Sequence, residues 1–312
     1  MRRLDIGVAS YRNPEKLRAT LASIEAMSTT DWRCFIVHNP SDDEQSSLAV
    51  LEAVEAKRRN ARFQIFSVPS NVGYAGAVNK LFELAETPYV AYLDNDVEIR
   101  TRGWDERFCA LLDAHPEVAQ VFPGSGHYGF HNGAYDECLW SAGYAWAMRR
   151  SGTGDGRRGC MGILCAPGAG PMDTELGHHE EVDLMIRLRL AGYRIACIPG
   201  VDILHHESST KSPESVKRIH AGVVRWMNKW NRYFVGDVLK YPNPDPDSGE
   251  SYDPRALRYT DWPPCAMYLE RMTLAKFPNW NAAPRSVMVP GVGEMDAVEI
   301  LKPKGCYVGR AI

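Results

Sequence analysis

The chain reads as an α/β protein with a doubly wound, largely parallel sheet and an irregular C-terminal extension. Over residues 4–93, short apolar runs of strand length alternate with longer amphipathic stretches, the order from which parallel sheets are wound. Past Gly236 the periodicity is lost and prolines accumulate, among them Pro242, Pro244, Pro246, Pro263 and Pro264, which marks chain that cannot continue regular elements.

Residues 4–9 are apolar and form a first strand; Pro14 then opens a helix whose Leu17, Leu21 and Ile24 recur at helical spacing. Residues 34–37 predict a second strand and 42–59 a second helix with Leu48, Leu51 and Val54 on one face. Residues 63–68 are a third strand, 76–85 a third helix and 89–93 a fourth strand. Between 125 and 170 the pattern breaks into glycine-rich and aromatic pieces, with Arg149-Arg150 and Arg157-Arg158 flanking Ser151-Gly152-Thr153-Gly154. Short strands and a loop facing a second substrate fit that composition. A helix returns at 179–190, with Val182, Met185 and Ile186 as its buried stripe, followed by strands at 193–198 and 201–205. A helix at 215–234 carries Trp226, Trp230 and Tyr233.

At 312 residues, 45% hydrophobic and 24% charged, the chain has ample material for a core. A net charge of −3 gives no global attraction to nucleic acid or anionic membrane, although it leaves a local basic patch open. The eight cysteines form no Cys-x-x-Cys pair and no zinc-ligand spacing, and read as reduced thiols of a cytoplasmic protein. No apolar stretch reaches the roughly 18 residues of a membrane span. Asp5 interrupts the basic N-terminus, so no signal peptide is expected.

The chemistry centres on Asp94-Asn95-Asp96, which ends the apolar run Tyr89-Val90-Ala91-Tyr92-Leu93. Residues i and i+2 of an extended segment point the same way, and ligands of open α/β sheets collect at the carboxyl ends of strands. Two carboxylates there can hold a hard divalent cation that neutralises a diphosphate, although acidic residues also populate ordinary turns. Ser10-Tyr11-Arg12-Asn13 follows the first strand as a loop able to wrap a nucleoside, or as a plain turn before Pro14. Asn71-Val72-Gly73-Tyr74-Ala75-Gly76-Ala77-Val78-Asn79 allows close backbone approach to a ligand, with Asn79 as a hydrogen-bond donor. Glu180 and Glu181 open a helix, where the helix dipole favours them; as adjacent acids, one with a raised pKa, they also suit a general base. Asp183 pairs with Arg187 at helical spacing. His205-His206 ends a strand, and an imidazole there can complete a site begun by Asp96.

Taken in order, Val8-Ala9-Ser10-Tyr11, Asn71 to Asn79, Tyr92-Leu93-Asp94-Asn95-Asp96, Glu180-Glu181-Val182-Asp183-Leu184 with Arg187-Leu188, Ala191-Gly192-Tyr193-Arg194, Pro199 and His205-His206 resemble the family 2 glycosyltransferases. The rhamnosyltransferase-like branch is the nearest, and the resemblance covers residues 4–235. It implies a glycosyltransferase A fold, a nucleotide-sugar donor, a divalent metal (Mn2+ or Mg2+) and inversion at the anomeric carbon. By the same resemblance Asp96 and His205 bind metal, Asp94 lies near the ribose, and Glu181 takes the proton from the acceptor hydroxyl. Ser10, Tyr11, Arg12, His38, Asn39, Asn71, Gly73, Tyr74, Asn79 and Asn95 are expected around the donor. Glu180, Trp140, Arg149 and Arg150 are expected on the acceptor side. Residues 1–124 then form the nucleotide-sugar half, 125–235 the acceptor and catalytic half, and 236–312 the extension.

Three departures from the family pattern stand out. Glu181 replaces the usual Asp, His38-Asn39 replaces Asp-Asn, and the stretch 159–177 lacks Gly-Gly-Phe-Asp-Glu, with Pro171-Met172-Asp173-Thr174-Glu175 as its nearest counterpart. The acceptor reads as a saccharide or lipid-linked saccharide. Its alternative is a hydroxymethylated base in DNA, met by the four loop arginines with Trp140, Tyr144 and Trp146. A non-catalytic nucleotide-sugar scaffold is the remaining rival, while nucleotidyl transfer lacks its glycine-rich basic signature after strand one.

Overall fold

The computed structural model describes residues 3–124, 130–131, 135–138, 141–150, 171–190 and 193–206, helical positions between 218 and 229, and strands at 286–289 and 293–296. In chain order the elements are β1 (Leu4–Ser10), α1 (Pro14–Met27), β2 (Trp32–His38), α2 (Glu44–Arg59), β3 (Phe63–Ser67), α3 (Gly73–Leu84) and β4 (Tyr89–Asp94). There follow β5 (Val97–Ile99), α4 (Trp104–Ala114), β6 (Val118–Pro123), β7 (Phe130–His131), β8 (Asp136–Glu137) and β9 (Ala145–Arg149). The last are α5 (Glu180–Leu190), β10 (Arg194–Ile198), β11 (Ile203–His205), β12 (Ser286–Val289) and β13 (Gly293–Asp296).

The main sheet runs β3-β2-β1-β4-β9-β6-β10-β8-β7. Its β3, β2, β1 and β4 are parallel, in register Leu4↔Trp32 and Leu4↔Tyr89. β9 is reversed between β4 and β6, β10 again runs with β6, and β8 is reversed beside it. The sheet is therefore mostly parallel, as predicted, and its antiparallel insertions come from the part of the sequence where periodicity broke. On one face, Leu4, Ile6 and Val8 of β1 pack with Leu17, Leu21 and Ile24 of α1 and with α4. On the other face α3 and α5 cover Tyr92, Trp146 and Met148. Truncating a fully buried leucine such as Leu21 to Ala costs about 2–5 kcal/mol at such a site. Gly7 lets α3 lie against β1, because a Cβ there would stand 2.2 Å from Leu81 Cδ2.

Three sequence expectations are corrected. α2 does not bury Leu48, Leu51 and Val54; Leu51 is exposed and the buried face is Ser46, Ala49, Ala53 and Ala56. Small side chains at helical spacing let α2 lie close to α1, so close approach outweighs residue hydrophobicity in choosing the face. α3 begins at Gly73 rather than 76, with Gly73 N–H capped by the Asn71 side chain at 2.9 Å. α5 is buried on more than one stripe, since Val182, Asp183, Leu184, Met185 and Leu188 are all buried.

Unpredicted elements fill residues 97–123. α4 is fixed at its first turn by Asp105, fully buried and accepting from Thr29 N–H at 3.0 Å and Thr30 N–H at 2.8 Å. β5 pairs antiparallel with β11, setting His205 opposite Val97. The C-terminal extension contains one regular piece among the described residues, the antiparallel β12–β13 pair. No helix among the described residues is long and apolar enough to cross a membrane.

Candidate active site

The acidic triplet leaves the sheet at the carboxyl end of β4. Tyr89 to Leu93 are buried, whereas Asp94, Asn95 and Asp96 reach partial exposure. Asp94 N–H donates to the Tyr144 carbonyl at 2.8 Å, and the Tyr92 hydroxyl donates to Asp94 Oδ1 at 2.7 Å. The β5–β11 ribbon folds the later histidine back over this point, and His206 N–H closes the turn on the Asp96 carbonyl at 2.9 Å. As a result His205 Nε2 lies 3.2 Å from Asp96 Oδ1 and 3.5 Å from Asp94 Oδ2.

One ligand atom each from Asp94, Asp96 and His205 fall within 4.8 Å of one another. Two carboxylates and one imidazole, all partly exposed, form a donor set suited to Mn2+ or Mg2+ and too poor in sulfur for softer ions. The resemblance places Asp94 near a ribose; its carboxylate also lies in this cluster. Burial pushes Asp94 up to about 6, Asp96 adds to the rise, and His205 and the Tyr92 hydrogen bond oppose it.

Tyr144, which the sequence analysis set among the base-stacking aromatics, and Lys16, which it passed over, brace the cluster. The Tyr144 ring stacks on the His205 imidazole at 4.8 Å and 14°. Lys16, in the first turn of α1, donates to the His206 carbonyl at 3.0 Å and holds its Nζ 3.9 Å from Asp96 Oδ2. Lys16 carried no sequence signal because an exposed lysine on a helix is ordinary, and its role depends on a strand far along the chain.

The residues expected around the donor divide in two. Asn95 donates to the Tyr11 and Arg12 carbonyls at 3.1 and 3.3 Å, tying the β1–α1 loop to the triplet. Arg12 and Asn13 take left-handed φ angles of 54° and 48°, a conformation that costs non-glycine residues about 1 kcal/mol or more. Arg12 is held by Asp43 at 2.8 Å and by the face of the Tyr11 ring. Asn39 binds Val72 N–H and the Gly73 carbonyl at 3.2 and 3.4 Å, joining β2 to the start of α3. Ser10 is fully buried at the end of β1, beside Asn39, whose N–H donates to its carbonyl at 2.8 Å.

The other group is engaged within the protein. His38 is buried, kept neutral by that burial, and paired through Nε2 with Ser46 of α2 at 3.0 Å. Asn79 spends both amide atoms on the Met172 backbone, at 2.9 and 2.8 Å. Direct donor contact was expected of both; in the fold these bonds fix α2 and the segment before α5.

Glu181 stands in the first turn of α5 against Gly143. A Cβ at 143 would lie 2.9 Å from Glu181 Cγ and 3.0 Å from the Tyr74 hydroxyl. Tyr74 donates to the Gly143 carbonyl at 3.3 Å and accepts from Trp146 Nε1 at 3.3 Å. Its ring meets Tyr92 edge-on at 5.1 Å, and Tyr92 stacks on Trp146 at 5.5 Å. This aromatic wall runs from the acidic triplet to the glutamate. Glu181 keeps a partly open surface yet is enclosed by protein, and burial first, then Glu180 and Asp94, push its carboxyl up to about 8. Burial alone leads the rise of Glu180 to about 7. Like-charge proximity was the expected cause; desolvation outranks it.

Asp183 makes the expected pair with Arg187 at 2.8 Å, is fully buried, and also binds Lys229 at 2.7 Å. Lys229 reaches Asp173 at 2.6 Å and Arg187 the Pro171 carbonyl at 2.8 Å, so the start of α5 is locked to the preceding segment. Arg149 and Arg150 stand apart. Register Tyr89↔Arg149 sets them at the far end of β4, where Arg149 bonds the Leu112 carbonyl and covers the Tyr89 ring. The acceptor role expected for both does not fit this position. Trp140, Arg157 and Arg158 lie outside the described residues.

Residues 5–163, just over half of the chain, match the family described as Glycosyl transferase family 2. A teichoic acid poly(glycerol phosphate) polymerase of Staphylococcus epidermidis is 35% identical over 99 residues, 32% of this chain and 13% of that protein. Among solved structures, the mannosyltransferase PcManGT from Pyrobaculum calidifontis, in complex with GDP-Man and Mn2+, is similar at TM-score 0.56 and 16% identity, over 96% of this chain and 79% of that one. GalNAc-T7 with UDP, GalNAc and Mn2+ gives TM-score 0.54 and 14% identity over 74% and 50%. S. aureus TarS gives 0.51 and 15% over 72% and 39%. This chain thus spans under half the length of TarS and a small part of the polymerase. The structural likeness is one of fold, the glycosyltransferase A fold.

Proposed function

The chain belongs to the family 2 glycosyltransferases, and on that premise we propose a metal-dependent, inverting single displacement from a nucleotide-diphosphate sugar to an acceptor hydroxyl. The observation that carries it is the convergence of Asp94, Asp96 and His205 within 4.8 Å at the carboxyl end of β4. Asp96 and His205, with Asp94 beside them, would hold a Mn2+ or Mg2+ ion, which when bound supplies positive charge to the departing diphosphate. Glu181 accepts the proton of the acceptor hydroxyl on a carboxylate oxygen as the hydroxyl oxygen attacks the anomeric carbon and the bond from that carbon to the diphosphate breaks. Its raised pKa, about 8, makes it a strong base once ionised. The Tyr74, Tyr92 and Trp146 wall fixes the carboxylate relative to the triplet, which contributes the orientational part of the rate. The Asn39, Asn71 and Asn95 bonds shape the loops on which Tyr11, Arg12, Gly73 and Tyr74 meet the donor, with Ser10 buried beneath them.

We take the acceptor as a saccharide or lipid-linked saccharide, and the donor as a hexosyl or deoxyhexosyl nucleotide in keeping with the rhamnosyltransferase-like pattern. DNA as acceptor loses support, because Arg149 and Arg150 stand at the far end of β4. The buried free thiols of Cys34 and Cys109 support a reducing compartment such as the cytoplasm.

A panel of nucleotide sugars scored by thermal stabilisation tests the reading. A matching donor at 100 times its Kd adds about 2.7 kcal/mol, and the gain disappears with chelator or in Asp96→Asn. Stabilisation by no member, or the same stabilisation without metal, would remove the metal-dependent reading. Slow donor hydrolysis without acceptor separates an enzyme from a binding scaffold.

A further inference from the structure

We infer that Lys16 is a second, protein-borne cation for the donor's diphosphate, working beside the metal site; this rests on the function proposed above. Lys16 is presented by the first turn of α1 and tethered by one hydrogen bond, 3.0 Å to the His206 carbonyl. Its Nζ stands 3.9 Å from Asp96 Oδ2, on the carboxylate oxygen opposite the one that faces His205. That separation is too long for a hydrogen bond. The ammonium has three donors, so after the His206 tether it retains capacity for another acceptor. The side chain keeps 30% of its surface exposed, which leaves the charge within reach of a ligand arriving at the triplet.

The charge balance gives this placement a use. Asp94 and Asp96 supply two negative charges, and a sugar-nucleotide diphosphate brings about two more and gains a further one as it leaves. A divalent ion offsets about two of these. The excess is negative and grows along the reaction, and a lysine already in place stabilises that growth without reorganisation. Among the described residues, the ion pairs to Asp94 and Asp96 come from His205 and Lys16 alone. An imidazole spends its lone pair, not a charge, on a metal it ligates, which leaves Lys16 as the fixed cation at the triplet when the ion is held. Its compact ammonium suits a phosphate oxygen as a point charge.

The alternative is that Lys16 only straps β11 to α1 through His206. The two roles part in one experiment, calorimetry on the full chain and on Lys16→Met and Lys16→Arg. Three titrations are run on each: Mn2+ alone, UDP and GDP with Mn2+, and UDP and GDP with EDTA. The diphosphate role predicts that Lys16→Met binds the nucleotide roughly tenfold more weakly with or without metal, the loss of one charge-assisted bond. Mn2+ alone then binds as tightly or roughly two- to fivefold more tightly, because a like charge has left the acid pair. Lys16→Arg retains most of the nucleotide affinity. Unchanged nucleotide affinity in Lys16→Met overturns the inference, as does an equal weakening of Mn2+ alone, which is the signature of a lost strap. Failure of the metal reading shows separately, as wild type that binds no Mn2+ and an Asp96→Asn variant that binds nucleotide as wild type does.

Discussion

His205 Nε2 stands 3.2 Å from Asp96 Oδ1, and the β5–β11 ribbon sets that distance. The ribbon pairs His205 with Val97 and bonds His206 N–H to the Asp96 carbonyl, so backbone holds the two ligand-bearing segments together. Tyr144 then fixes the imidazole plane by stacking at 4.8 Å. His205→Ala is expected to weaken Mn2+ binding at least tenfold. Tyr144→Ala, acting through His205, is expected to weaken it by about tenfold, in the range seen for residues that orient metal ligands. Tyr144→Phe keeps the stack and should bind as wild type. Titration of Mn2+ by calorimetry decides it; a wild-type constant for Tyr144→Ala would mean the stack orients nothing.

Glu181 is the proposed base, so Glu181→Gln is expected to lower kcat by about 10² to 10⁴ while donor affinity stays within a factor of two or so of wild type. The wild-type rate should rise with pH through about 8, where the Glu181 carboxyl ionises. Steady-state kinetics at saturating donor test this. A Gln variant with undiminished kcat would move the base elsewhere.

Gly143 is a spatial requirement of the same site. A methyl group there would stand 2.9 Å from Glu181 Cγ and 3.0 Å from the Tyr74 hydroxyl, closer than carbon and oxygen atoms pack. Gly143→Ala is therefore expected to displace Glu181 and cut kcat by about a hundredfold, the cost of a misplacement near 1 Å. Because the acidic cluster is untouched, Mn2+ affinity should hold. A drop in metal affinity as large as the drop in rate would point to wider disruption.

How far this site was legible in the sequence depended on distance along the chain. Asp94 and Asp96 announced themselves because a local rule, strand then paired acids, places them. Glu181 and His205 were singled out by residue type and order, and the fold brings His205 to the triplet. Lys16 and Gly143 were missed, and Tyr144 was read as a base-stacking ring, because each meets a partner far away in sequence: His206, Glu181 and His205. The bonds that His38 and Asn79 make within the protein were missed for a related reason. Their polar groups looked available from the sequence, and only the folded chain shows Ser46 and the Met172 backbone already using them. α2 went wrong at the level of packing, where small Ala49, Ala53 and Ala56 rather than larger Leu48 and Leu51 face α1's layer.

The two glutamates at the head of α5 also make stability depend on pH. Their carboxyls rise from 4.5 to about 7 for Glu180 and about 8 for Glu181, chiefly through burial. The native state thus holds protons that the unfolded chain releases, and stability falls as pH climbs from 4.5 toward 8. Buried His38 and His179 act in the opposite sense. Their pKa values are lowered from 6.5 by burial, so they remove stability as pH falls below 6.5. Between about pH 6.5 and 8 the histidine contribution dies away and Asp94, raised to about 6, is largely ionised, so among these groups the two glutamates set most of the slope. Glu181→Gln should therefore flatten the decline of stability in that window, and Glu180→Gln should flatten its lower part. Chemical denaturation of the three proteins at pH 6.5, 7.25 and 8, without metal or donor, measures the slopes. Parallel lines for wild type and both variants would show that neither carboxyl is held protonated by the fold.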